Sequence, residues 1–311
     1  MPHVKGHGVK IPMNDSNRKP VDEDFTLTES EDPSLAAYPK SARAAIAKRK
    51  AAKAAAESAQ TQKLPLWPEP VMGVPNELIR SALFAAVDGH KRSLKHREPI
   101  ASQGDTVISF TGAQLTQAHL DVFQGIMHLS RGIDEDTRVS FSAHALLKLI
   151  GRHTGKFEHD WLYGMILDLA SGTLLIEKAD GEFFVGAMIA CSNGNFKRGN
   201  YSVKITRQLI NLFDRGFTYI QWEQRRKLKQ KPLACWLQMY YSSHAKPYPV
   251  TVAFLHKQSG SNIAELRKFR QNLKAALEVI KAVGVIGDWS IAVGDRVVVE
   301  RLSVMRVSGN A

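Results

Sequence analysis

Cysteine is nearly absent: Cys191 and Cys235 are the two in 311 residues. They stand far apart, in neither a CxxC pair nor a zinc-finger spacing, so neither a disulfide framework nor a structural zinc site is expected. Cys191 follows an apolar run and Cys235 falls within a helical pattern, so both read as buried thiols of a reducing compartment. Also missing are an apolar run long enough to cross a bilayer and a charged-then-apolar opening of the secretory kind. There is no GxxxxGK[ST] loop for a nucleotide and no HExxH helix for catalytic zinc. A strand-nicking enzyme needs a tyrosine nucleophile and a metal-binding histidine pair. Tyr240 and Tyr241 are adjacent, but the only closely spaced histidines, His3 and His7, lie in the polar start. Acidic side chains are in the minority, 30 against 42 Lys and Arg, which leaves a formal charge of +12. A surplus of that size fits a polyanionic partner. With no spanning segment, nucleic acid is preferred to a membrane, although a merely soluble basic protein would carry the same charge.

Length admits two ordinary domains and a tail. Residues 1–62 read as a basic, partly helical arm: polar and acidic at first, then rich in Ala and Lys from Ser41 to Gln60, without an apolar stripe. Pro65, Pro68 and Pro70 punctuate the linker 63–74. A folded region is expected over 75–205 and a second over 206–303, followed by a short tail, 304–311.

The first region predicts a helix over 77–87 capped by Asn76 and a turn-rich basic stretch to Gly104. A strand at 106–111 and a helix from 114 to 130 follow. The next stretch reads strand (138–141), helix (143–150), turn, and helix (157–170) with Phe157, Trp161, Leu162, Met165, Ile166 and Leu169 facing inward. Strands at 173–177 and 182–189 are joined by Asp180-Gly181, a hairpin signal. Helix, turn, helix, hairpin is the order of a winged helix. It recurs as a helix over 220–241, a short strand and helix at 250–258, a helix over 262–283, and strands at 286–292 and 296–301 joined by Gly294-Asp295. The expected fold class is therefore α+β: two tandem winged-helix domains behind a flexible, partly helical N-terminal tail.

The helix expected at 262–283 carries the clearest signal. Ile263, Leu266, Phe269, Leu273, Leu277 and Ile280 recur every three or four residues and form one apolar stripe. Opposite lie Ser261, Ala264, Lys268, Gln271 and Ala275, flanked by Arg267, Asn272 and Lys274. Gln271 and Asn272 carry the donor–acceptor pair that matches adenine, and Arg267 and Lys268 can reach guanine or phosphate. Ser261 and Asn262 would offer free N–H groups to a phosphate. An ordinary solvated helix face is the plainer alternative. In the first region Lys156, His159 and Tyr163 are the matching contacts, weakened by Glu158 and Asp160.

Four segments resemble the TrfA family of plasmid replication initiators: WPEPVMGVPNELIRSALF from Trp67, ISFTGAQLTQAHLDVFQGIMHLSR from Ile108, IQWEQRRKLKQKPLACWLQMYYSSHAKPYPV from Ile220, and ELRKFRQNLKAALEVIKAVGVI from Glu265. The resemblance runs in order from Lys63 to Arg301. It implies a non-enzymatic, cofactor-free protein of the bacterial cytoplasm. Such a protein binds directly repeated origin sites (iterons) in double-stranded DNA, promotes opening of the origin, and recruits the host initiator and replicative helicase. It leaves homodimerisation open. The family also carries a sliding-clamp-binding peptide, Gln-Leu-Ser-Leu-Phe. Here Lys63-Leu64-Pro65-Leu66-Trp67 stands in its place, and the resemblance assigns Leu64, Leu66 and Trp67 to the host clamp. Packing of the same three residues on the first domain is the alternative. Two further readings compete with the initiator: a winged-helix transcriptional regulator on an operator, and a nicking enzyme, which the missing histidine pair disfavours.

Overall fold

The computed structural model describes residues 63–103, 106–134, 137–179, 181–195, 198–228 and 231–302, together with Ala45, Ile46, Lys48 and Arg49, which are helical. The rest of the expected arm, the 304–311 tail and the Cys191 side chain lie outside the described residues. The described residues from Lys63 onward form one compact unit of mixed helix and sheet.

Its elements are β1 (Val71–Pro75), α1 (Asn76–Ile79), β2 (Leu94–Ile100), β3 (Thr106–Ala113), α2 (Gln117–Leu129), β4 (Arg138–Ser142), α3 (Ala143–Leu149), α4 (Lys156–Ser171), β5 (Thr173–Lys178), β6 (Phe183–Gly186), β7 (Ala190–Asn195), β8 (Asn200–Lys204), α5 (Arg207–Asp214), β9 (Phe217–Gln221), α6 (Trp222–Lys227), α7 (Pro232–Ser242), β10 (Val250–Thr251), α8 (Val252–Gln258), α9 (Leu266–Ala282), β11 (Trp289–Ala292) and β12 (Arg296–Val299). The sheets run β1-β9, β2-β3-β5-β6, β4-β8-β7 and β10-β12-β11.

Two apolar cores fill the unit. The first runs from Leu64 to Trp222 with Met239 added, and the second from Leu228 to Val299. The packing boundary therefore falls after Trp222, later than position 205, and α5 and β9 belong to the first core. The two halves repeat one order: helix (α2 or α7), strand, two helices, hairpin. In each, the lone strand pairs with the second strand of the hairpin, giving β4-β8-β7 and β10-β12-β11.

The hairpin that completes the first copy is not the expected one. The strands around Gly181 exist, but β5 and β6 extend a four-stranded sheet with β2 and β3. The partner of β4 is β8, and β7 and β8 come one hairpin later. Local turn chemistry marks a hairpin but does not say which sheet it joins. The basic stretch expected to be turns contains β2. The helix expected over 77–87 stops at Ile79, and Pro75, not Asn76, is its cap; the Asn76 side chain instead accepts from Thr218 Oγ1. The single helix expected over 220–241 is a strand end and two helices, α6 and α7. Pro232 at the first turn of α7 lacks the N–H and the space to continue a helix from α6.

The second copy packs around α9. Phe269, Leu273, Leu277 and Ile280 are completely buried, each contributing about 1.5–3 kcal/mol through removal from water. The helix begins four residues later than expected, with Glu265 as its N-cap. The Ile263 carbonyl is already taken by His256 Nε2 at 2.8 Å, which holds the approach irregular. Leu266 therefore stays 39% exposed, outside the stripe assigned to it.

A buried cation joins the two cores. Arg225 Nε donates to Asp121 Oδ1 at 2.7 Å, Nη1 to the Cys235 carbonyl at 2.7 Å, and Nη2 to the carbonyl and Oε1 of Gln117 at 3.1 and 3.0 Å. Burial opposes its charge, and the Asp121 carboxylate more than offsets that, holding the guanidinium above its ordinary value. Burial pushes the neighbouring Cys235 thiol up to about 11.

The clamp-like peptide is strapped to the first half. The Leu64 carbonyl accepts from Gly132 N at 3.0 Å, and Lys63 pairs with Asp134 at 3.0 Å. Leu64 and Trp67 are both 2% exposed, whereas Leu66 is 77% exposed. The Trp67 indole donates to His128 Nδ1 at 3.1 Å and stacks on Phe213. A Cβ on Gly73 would come within 2.9 Å of that ring. Two of the three residues assigned to the clamp are core residues, because the apolar surface of α2 and α5 takes them first.

Two measurements check these anchors. Removing the Arg225 head group in Arg225→Ala should lower the free energy of unfolding in urea by about 3–5 kcal/mol, since it leaves buried acceptors and Asp121 without a partner; a loss below about 1 kcal/mol contradicts the anchor. Trp67→Ala should cost about 3–5 kcal/mol as a core truncation, and Leu66→Ala should stay within about 0.5 kcal/mol. Equal, small effects of the two would mean that the strap is not part of the fold.

Candidate nucleic-acid interface

The outer face of α9 is the most open cationic and amide-bearing helix face in the second half. Arg267, Lys268, Gln271, Asn272 and Lys274 are all exposed, and none makes a hydrogen bond or ion pair with another described residue. Lys268, Gln271 and Ala275 follow at three and four residues, so they line up along the helix. Ala275 is exposed and small, which permits close approach over the first three turns. Glu278, also exposed, comes next along that line and ends the anion-compatible stretch.

The helix is held by its other side and by the hairpin that follows. Arg270 Nη1 lies 2.8 Å from Asp295 Oδ1 in the β11–β12 turn. Gly294 and Asp295 both take left-handed φ, 75° and 59°, as a tight hairpin turn requires. The preceding residue, Val293, is 98% exposed at the hairpin tip, and Arg296 is exposed beside it.

Ser261 and Asn262 are not at the helix N-terminus. Ser261 Oγ accepts from Ile263 N at 3.4 Å, and Asn262 Nδ2 donates to the Lys91 carbonyl at 3.4 Å. They tie the α8–α9 loop to the first half. The free N–H groups of α9 belong to the turn starting at Leu266, behind a carboxylate cap, which is a poor phosphate seat.

In the first copy the corresponding helix is α4. Lys156 is exposed at its first position. His159 is half-buried, close enough to Gly199 that a Cβ there would be 3.3 Å from Nδ1. Tyr163 is 36% exposed. Glu158 is matched by Arg152 at 2.6 and 3.3 Å, and that guanidinium lies 3.7 Å over the Trp161 ring, so Glu158 repels an anion less than its charge suggests. Phe157, expected inward, is 78% exposed. It precedes Leu162 of the buried stripe by five residues, about 140° around the helix.

The adjacent tyrosines are core residues. Tyr240 and Tyr241 are 3% and 1% exposed, and Tyr240 stacks on Trp236. Burial raises both phenols above their ordinary range, which is the wrong direction for a nucleophile. Among the described residues no group of His, Cys, Asp and Glu could hold a metal, and no helix is long and apolar enough to cross a membrane.

Sequence reasoning missed Arg225. A lone Arg in a run of charges, Arg225-Arg226-Lys227, carries no local sign that one member turns inward. It also missed the β7–β8 hairpin, although the Gly and Asn cluster from Gly194 to Asn200 is a turn signal.

Comparison with known proteins bears on both halves. The family model described as TrfA protein matches residues 190–301, from β7 through the second core. The plasmid replication initiator protein TrfA of Escherichia coli is 22% identical over 229 residues, 71% of this chain and 59% of the relative; the chain thus spans about three fifths of that protein's length. The crystal structure of domains 2 and 3 of RctB superposes with a TM-score of 0.51 at 14% identity, covering 73% of this chain and 98% of that one. A second RctB structure of domains 2–3 gives 0.45 at 15% identity over 62% of this chain and 80% of its own. The family model spans the last two of the four segments, and with the curated relative it shows that this chain is similar to the TrfA plasmid replication initiator proteins.

Proposed function

We propose that the chain is a sequence-specific, non-catalytic DNA-binding initiator that reads duplex origin DNA with α9 in the major groove. The observation that carries this is the two-sidedness of α9. Its inner stripe is wholly buried, while Arg267, Lys268, Gln271, Asn272 and Lys274 stand exposed and unpaired among the described residues. A helix fixed that rigidly presents base-reading and phosphate-binding groups in set positions. The repeated order of helix, strand, two helices and hairpin, with the lone strand bonded to the last, is that of a winged helix, and supports two such domains in tandem. In this reading Lys156, His159 and Tyr163 add fewer contacts from α4, and Ser261 and Asn262 act by holding the loop.

Similarity to the TrfA initiators supports the finer steps: binding of directly repeated origin sites, opening of the neighbouring duplex, and recruitment of the host initiator and helicase. Contact with the host sliding clamp belongs to the same reading. In the folded chain, however, only Leu66 is presented, so full engagement requires Leu64 and Trp67 to leave the core.

If α9 reads bases, Gln271→Ala should cost about 1–3 kcal/mol on the cognate site and little on random duplex, measured by fluorescence anisotropy. Lys268→Ala should weaken both alike. A uniform loss for Gln271→Ala would remove it from base reading.

A further inference from the structure

The first turn of α9 is held differently from the rest of the helix. From Phe269 onward, four completely buried apolar side chains seat the helix on the second core, and Arg270 ties it to the β11–β12 turn at 2.8 Å. Ahead of Phe269 the helix buries no side chain: Leu266, Arg267 and Lys268 are all exposed. Glu265 caps it without a side-chain hydrogen bond. A first turn with neither a cap nor a buried side chain is prone to fray. Yet this turn carries Arg267 and Lys268, two of the three cations of the proposed reading face.

His256 supplies the missing hold. It lies in the last turn of α8, and its ring meets the chain on either side of the two cations. Nε2 donates to the Ile263 carbonyl at 2.8 Å, just before the helix. The ring also packs edge-on against Phe269, the first buried residue within the helix, with centroids 4.7 Å apart and planes at 64°. The other polar ties of the approach are longer: Ile263 N to Ser261 Oγ and Asn262 Nδ2 to the Lys91 carbonyl are both 3.4 Å. The helical bonding then begins with Phe269 N donating to the Glu265 carbonyl at 3.0 Å. Where that bonding starts decides where Arg267 and Lys268 point, because each residue turns the helix by about 100°. A displacement of about 1 Å is enough to take a donor out of hydrogen-bond range.

We propose that His256 is a positioning residue for DNA recognition: its hydrogen bond to the Ile263 carbonyl fixes the first turn of α9, and through that turn the place of Arg267 and Lys268 on the duplex. This rests on the DNA-binding reading of α9 above. Gln271 lies outside the reach of His256, since buried Phe269 and Leu273 stand on either side of it and the core itself holds that turn.

The test is a set of double-mutant cycles on the affinity of the full chain for cognate duplex, with melting temperatures as the folding control. His256→Phe keeps an aromatic ring against Phe269 and removes the donor. His256→Gln returns an N–H donor near the place of Nε2. Lys268→Ala alone should lose about 10-fold in affinity. Combined with His256→Phe it should lose only about 2-fold further, because the contact is already misplaced. Combined with His256→Gln the loss of about 10-fold should return. Gln271→Ala should lose the same factor in all three backgrounds. Each comparison is made within one background, so a general loss of folded protein cancels. An equal loss for Lys268→Ala with and without His256→Phe would overturn the positioning role and leave α9 as the reader. So would a His256→Gln background that behaves like His256→Phe. Wild-type affinity for every duplex in both Lys268→Ala and Gln271→Ala would overturn the helix reading itself, and the positioning role with it.

Discussion

The guanidinium of Arg225 is the point through which the two halves of the molecule are joined. It stands on α6, between the helix that opens the first copy and the helix that opens the second, and bonds to both: Gln117 and Asp121 on α2, the Cys235 carbonyl on α7. An ion so placed adds little net stability compared with an apolar filling, but it penalises every arrangement that leaves it unpaired. It therefore specifies how the two cores meet more than how strongly they hold. The segment between β1 and β3 reinforces the junction. Trp236 donates its indole N–H to the Ser81 carbonyl, Ala86 N bonds to Ser259 O, and Asn262 reaches Lys91. A protein that reads DNA with two successive units needs their spacing fixed, since a duplex presents equivalent groove faces only once per turn. The buried polar junction meets that need.

The same logic connects the strap to the interface. Trp67 stacks on Phe213, and Phe217 of β9 packs tilted against both rings, while the indole closes a polar chain through His128 to Glu69 and Arg131. The hydrogen bond from His128, with the charge of Arg131 beside it, holds the Glu69 carboxyl below its usual range. Residues 63–70 thereby belong to the first core. The apolar groups that a partner protein would seek in this peptide are also those the fold uses, so partner binding and local unfolding are coupled there.

What could be read from the sequence follows the range of the interactions. The stripe of Phe269, Leu273, Leu277 and Ile280 is a local, periodic signal, and the structure buries all four. The Gly294-Asp295 hairpin is equally local. The failures are non-local. Nothing near Asp180-Gly181 says that its hairpin joins β3 rather than β4. Nothing around Asn262 reveals that His256 claims the Ile263 carbonyl and delays the helix. Leu64 and Trp67 have the composition of an exposed recognition peptide, and only the presence of α2 and Phe213 in space decides that they are interior. The exposed face of α9 was legible in residue type and position, because the same period that buries one side of a helix exposes the other. The β4-β8-β7 sheet was not, since it depends on strands some sixty residues apart in sequence coming into register.

As proposed, this chain reads duplex DNA at repeated sites. Hydroxyl-radical footprinting of the full chain on the DNA flanking its coding region tests it most directly. The account predicts short protected runs on one face of the duplex, about ten base pairs apart within each site, with the sites recurring in the same orientation. Protection spread evenly along the fragment regardless of sequence would contradict it, and so would protection confined to a single inverted repeat.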